Sequence, residues 1–166
     1  MTEPARRGVR EGIGFGLVAG VMFAIVEILI TGLMGGAPLM PLRLFASILM
    51  GQDALYATTT GTVVLGALVH LVLSGLFGLF YGLVNAGFTS RTQTHWGRQA
   101  VLGLAFGALL WFVNFQIVAR IAYPWFLESP QLLQLLVHAL AFGLPLALMY
   151  GGAERRVQHV HVPRHA

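Results

Sequence analysis

Four long apolar runs dominate the 166-residue chain, over about 12–34, 60–84, 98–122 and 130–151. Each is close to the ~20 residues that a helix rising 1.5 Å per residue needs to cross the hydrocarbon of a bilayer. The pattern predicts an all-α integral membrane protein built as a four-transmembrane-helix bundle, with polar segments at 1–11 and 152–166. A fifth apolar stretch, 36–57, breaks the up-and-down pattern, because the part between Pro41 and Gly51 is too short to span. Pro38 and Pro41 can open a short helix there. Arg43 followed by apolar residues suits a helix that lies at the outer interface or dips in as a re-entrant turn.

Composition agrees. Hydrophobic residues make up 57% of the chain and charged residues 10%, against about 25% charged in an ordinary soluble domain. A soluble fold of this size has nowhere to hide so much apolar surface, so lipid takes the place of water around one membrane domain. The net charge of +4 comes with no aromatic RNA-binding or zinc-finger signature, and the arginines gather at the ends of the runs, so nucleic acid is not an expected partner. Every formally charged basic residue is Arg and none is Lys, which hints at a GC-rich bacterial genome.

Arginine placement predicts orientation. Arg6, Arg7 and Arg10 precede the first run, Arg91 and Arg98 fall between the second and third, and Arg155, Arg156 and Arg164 follow the fourth; only Arg43 and Arg120 fall on the other side. The positive-inside rule then puts both termini in the cytoplasm of a cell whose inner (plasma) membrane holds the chain. Aromatic belts are expected to follow the same depths, with Trp96, Tyr81 and Tyr150 inside and Tyr56, Tyr123 and Trp125 outside. The first run is longer than the apolar core of a signal peptide, so a retained helix is expected in preference to cleavage.

Two internal correspondences suggest a duplicated helical hairpin. Gly16-Leu17 with Gly20 and Glu27 matches Gly103-Leu104 with Gly107 and Asn114, and Leu68-Val69-His70 matches Leu136-Val137-His138. Both copies would start on the same side, related by an axis along the membrane normal. Small residues recur every fourth position at Gly12, Gly16 and Gly20, at Ser74, Gly78 and Gly82, at Gly103 and Gly107, and at Ala139, Gly143, Ala147 and Gly151. Such ladders let helices pack closely, within the chain or between copies.

Ionisable and amide side chains inside the runs are the functional candidates, because charge in hydrocarbon is expensive and persists where it is used. They are Glu27, His70, Asn114 and His138, with Gln116 as a further amide and Arg43 and Arg120 nearer the outer edge. At 1.5 Å per residue Glu27 is about 22 Å from Gly12 and Asn114 about 24 Å from Arg98, while His70 and His138 are about 15 and 12 Å below the outer boundary. All four thus fall in the outer half. Glu27, Asn114 and His70 continue the small-residue faces of their helices; His138 lies on a face with Phe142, Pro145 and Met149.

The plainest role for these groups is structural, with Glu27 paired to His70 and Asn114 to His138. As a functional site they would take a small solute, ion or proton, reached past Arg43 and Arg120. The alternative is redox or metal chemistry, with His70 and His138 as axial ligands of a b-type haem, or with Glu27 joining them around a divalent metal. An accessory subunit that meets other membrane subunits, or itself, through its glycine faces needs no such site. The absence of cysteine excludes disulfides, thiolate metal sites and iron–sulfur clusters. With no Walker loop, nucleophile elbow, HExxH or dinucleotide fingerprint, no catalytic residue is expected. His159-Val160-His161 and His165 could bind metal, but read more simply as a solvated tail. The arrangement of Glu27, Pro41-Leu42-Arg43, His70, Trp111 with Asn114, and His138 resembles that of small bacterial membrane proteins, a resemblance that assigns no activity.

Overall fold

The computed structural model describes residues 3–161, with side chains over 10–157. The side chains of Arg6, Arg7, Arg164, His159, His161 and His165 therefore lie outside the described residues. Four helices carry the chain from end to end, and we call them the first to fourth spans: Arg10–Leu33, Thr60–Ala86, Trp96–Ala122 and Gln131–Val157. Each is long and apolar enough to cross a membrane, and no strand occurs among the described residues. The first helix begins at Glu3 and the last continues to His161, beyond the apolar runs at both ends. Leu33, Ile121 and Leu132 are among many large apolar side chains left exposed on the outside.

Local chemistry sets the boundaries. The first span ends in a turn at Gly35, whose φ of 81° suits a residue without a Cβ. A short helix, Met40–Met50, follows with Pro41 in its opening turn, where a missing N–H costs nothing. The second span is capped by Thr59, whose side chain accepts from the Thr62 N–H at 3.3 Å, and the third by His95, which accepts from the Arg98 N–H at 3.3 Å.

Backbone contact between glycines zips each hairpin. A methyl group at Gly16 would meet the carbonyl of Ser74 and, at 2.8 Å, the Cα of Gly78. In the second hairpin a methyl at Gly143 would meet the carbonyl of Gly103 and, at 2.8 Å, the nitrogen of Gly107. The small-residue ladders are thus used inside the chain, first span against second and third against fourth.

The short helix is drawn in beside the second span. The carbonyl of Leu42 sits where a Gly66 side chain would be, six residues inside Thr60 or about 9 Å from the end of the bundle where spans one and two, and spans three and four, connect. The arginine pattern is expected to place this end outside, and we call it the outer end. Phe45 reaches the ring of His70, with centroids 4.4 Å apart. Trp125, in the outer connection between spans three and four, donates its indole N–H to Ser47 Oγ at 2.7 Å and pins the helix from the far side. The short helix thus packs between the second span and the connection that carries Trp125.

Spans three and four are not regular. Each holds a π-helical segment, Phe112–Ala119 and His138–Gly143, close to the depth of the polar residues. Pro145 explains the second: it has no N–H for the carbonyl of Ala141, and its ring crowds that carbonyl, so the ladder widens just before it. At the end of the bundle where spans two and three connect, Tyr81 donates to Gln99 Oε1 at 2.8 Å, and Gln99 donates to Asn85 Oδ1 at 2.8 Å. All three are almost fully buried, as is Tyr150. Tyr81 and Tyr150 therefore face the interior at the depth where an aromatic belt was expected, whereas Trp96 and Tyr56 are exposed.

A leucine at Gly143 should cost about 3 kcal/mol or more, the upper end for overpacking, because the obstructing atoms are backbone and have no rotamer to yield. Gly14, with nothing within 4 Å of its Cβ position, should accept leucine with little change. Thermal unfolding of both variants in mild detergent measures the difference, and equal midpoints would contradict the zipped hairpin.

Candidate solute site between the hairpins

Because glycine contacts bring the helices of each hairpin together, the space left in the bundle lies between the hairpins. Span one turns Glu27 into it, about one turn beyond Phe23; Glu27 is only 8% exposed. Both carboxylate oxygens accept from the side-chain amide of Gln134 on span four, at 3.2 and 3.3 Å. Gln134 also anchors His138 one turn on, through its backbone carbonyl, which accepts from Nδ1 at 2.7 Å. On span two, His70 lies against the carbonyl of Gly20, 2.8 Å from Nε2, and Ser74 donates its hydroxyl to the His70 carbonyl at 2.8 Å.

A carbonyl oxygen only accepts, so the bonded nitrogen of each ring carries the proton. In the neutral imidazole that leaves Nε2 of His138 and Nδ1 of His70 as acceptors. The expected pairs, Glu27 with His70 and Asn114 with His138, are not the ones formed: Gln134 and two backbone carbonyls are the partners instead. The Asn114 side chain lines the space without a hydrogen-bond partner among the described residues.

These residues surround one cavity of about 300 Å³, whose wall includes Glu27, His70, Asn114, Gln134 and His138. The remainder of the wall is apolar and rich in rings, with six phenylalanines and Tyr123 contributing. Phe45 closes it from the short helix, Phe115 from span three, and Phe126 from the outer connection. All four residues expected to form a polar cluster in the outer half therefore meet around one space. His138 joins although it is off the small-residue face of its helix. That face is occupied by span three, where Gly107 abuts Ala139, and the adjacent face looks into the cavity.

Arg43 and Arg120 are not on the wall. Arg120 turns outward and donates to Gln116 Oε1 at 2.7 Å from Nη2, while Arg43 keeps a buried Nε with no partner among the described residues. A second cavity of about 360 Å³ lies on the outer side and is bounded by Thr31, Trp125, Glu128 and Ser129. Glu27, Gln134, Pro41 and Leu44 line both spaces, so the Glu27–Gln134 bond stands between an outer vestibule and the inner chamber.

Geometry gives the haem and metal alternatives little to build on. The ring of Phe23 packs on both imidazoles, with centroids 5.4 Å from His70 and 4.8 Å from His138. The histidines thus do not face each other across an open slot of the kind that axial ligation of a haem requires. Among the described residues no three His, Cys, Asp or Glu side chains come together as a metal site. Gln134 is the residue that reading the sequence missed. The available signal was its position four residues before His138, which places both on one helical face. The buried Tyr81–Gln99–Asn85 chain was also missed.

Fold and site together define a four-span helical protein with a lined chamber between two hairpins. No protein-family model matches the chain, and no curated protein or solved structure is significantly similar to it.

Replacing Gln134 with leucine removes the donor from Glu27 while keeping an apolar side chain of similar size. Interhelical polar bonds in membrane proteins average about 0.6 kcal/mol and reach about 1.7, whereas bonds to a charged group fall at about 1.5–3. A loss of about 1–2 kcal/mol is expected, read from denaturant unfolding in mixed micelles. An unchanged midpoint would mean that Glu27 is held by something other than Gln134.

Proposed function

We propose that the protein is a non-enzymatic, multi-pass protein of the cell inner membrane that binds a small organic solute between its two hairpins, with both termini in the cytoplasm. The observation carrying this reading is one cavity of about 300 Å³ that collects Glu27, His70, Asn114, Gln134 and His138 among aromatic rings. Small-molecule sites have this form, mostly apolar with a few convergent polar groups that fix orientation. Polar groups kept in an otherwise apolar span also call for a use. The solute would arrive from the outer vestibule and pass the Glu27–Gln134 bond. An accessory role within a larger complex draws less support, because the small-residue faces that would serve it are occupied within the chain.

Ala119 lines the cavity and is 2% exposed, so Ala119→Phe should fill part of the chamber. Protein extracted with its own lipid into discs and then denatured should release a small molecule that the Ala119→Phe protein lacks, as read by mass spectrometry; Asn114→Leu provides a milder second variant. Identical release from all three proteins would remove the cavity as the binding site.

Orientation is testable because the chain has no cysteine. A cysteine at Tyr56, which is 76% exposed, should react with a membrane-impermeant maleimide in intact cells, and one at Arg91 only after the inner membrane is opened. The reverse pattern would invert the topology.

A further inference from the structure

We infer that the solute is a lipophilic organic cation, an amine or quaternary ammonium bearing an aromatic or branched apolar group, with Glu27 as its counter-charge. This rests on the reading of the cavity as a solute site and adds the chemistry of what enters it.

The polar part of the wall is biased toward acceptors. Glu27 offers two carboxylate oxygens, and Gln134 supplies the donor they share. Each histidine gives its N–H to a backbone carbonyl, Gly20 for His70 and Gln134 for His138, and keeps a lone pair on the other nitrogen. Ser74 directs its hydroxyl to the His70 carbonyl. The donors that remain on the wall are the amide of Asn114 and the hydroxyl of Tyr123. A ligand that only accepts, such as a quinone, would find few partners here.

Charge points the same way. Among the described residues neither the chamber nor the vestibule has Lys or Arg on its wall, and the vestibule adds a second carboxylate, Glu128. An anionic ligand would meet carboxylates without a cation to offset them. A carboxylate with no cation beside it, deep in an apolar bundle, is costly on its own, and a cationic ligand supplies the missing partner. The rings serve the same ligand, because aromatic faces attract ammonium groups within about 6 Å and attract them more strongly when water is excluded.

A bare metal ion fits less well, since no three of the described His, Asp or Glu side chains converge on a point; the acceptors are spread around a volume. At about 30 Å³ of liquid per water, a cavity of about 300 Å³ matches roughly ten waters, room for one ring and a compact ammonium group.

The full-length protein in lipid nanodiscs, titrated calorimetrically against empty-disc blanks, separates the possibilities with three probes of one shape: benzyltrimethylammonium, its uncharged isostere neopentylbenzene, and the anion benzylsulfonate. The cation is expected to bind at least about tenfold more tightly than the isostere, with no detectable binding of the anion. Glu27→Gln should weaken the cation by about tenfold or more and leave the isostere unchanged, while Glu27→Asp, which keeps the charge, should retain the preference. Equal binding of cation and isostere, or a cation affinity indifferent to Glu27→Gln in protein that melts as the wild type does, overturns the cation assignment. If the isostere still binds in that case and Ala119→Phe abolishes its binding, the solute site itself stands. If no probe binds and no small molecule is released from the native protein, both readings fall.

Discussion

Contact of backbone with backbone at glycine is the constraint on which the rest of the structure depends. In hydrocarbon there is no hydrophobic gain from bringing two apolar helices together, so close packing must supply the attraction. Gly16 against Gly78, and Gly107 against Gly143, achieve this by removing the side chains that would keep the helices apart. The consequence is geometrical. Each hairpin is drawn as tight as two helices can be, and the room taken out of the hairpins reappears between them. Bulky rings line that room without filling it.

The polar residues make sense in this setting. A buried carboxylate, two imidazoles and several amides would normally pair until nothing was left over. Here the pairing uses backbone carbonyls and a glutamine, which orient the groups without cancelling them. At the other end of the bundle, Tyr81, Gln99 and Asn85 bond one to the next in a short chain. The two ends therefore hold similar residue types in different conditions, one linked side chain to side chain and one with acceptors to spare.

Much of this was legible in the sequence. Span positions follow from apolar run length, and the small-residue ladders named the faces that meet. Glu27, His70, Asn114 and His138 could be picked out as polar residues at related depths, and they do share one cavity. Their bonding partners were not legible, because a backbone carbonyl such as that of Gly20 leaves no mark in residue identity. Gln134 was passed over for lacking a charge, although its position relative to His138 pointed to it. Arg43 and Arg120 were misplaced toward the site because depth alone does not tell which way a helix faces. Tyr81 and Tyr150 were taken for belt residues for the same reason, and a side chain that finds a partner inside is under no pressure to turn outward.

The π-helical segments have a consequence of their own. A turn that holds a surplus residue displaces everything beyond it by about 100° relative to an unbroken α-helix. Both such turns belong to the second hairpin, beside Asn114 and His138, while the first hairpin presents Glu27 and His70 from regular helix. The chamber is accordingly bounded by two unlike halves. One is a ladder with no slack; the other carries on each of its rails a spare rung, so its outer half is indexed against its inner half by a single residue.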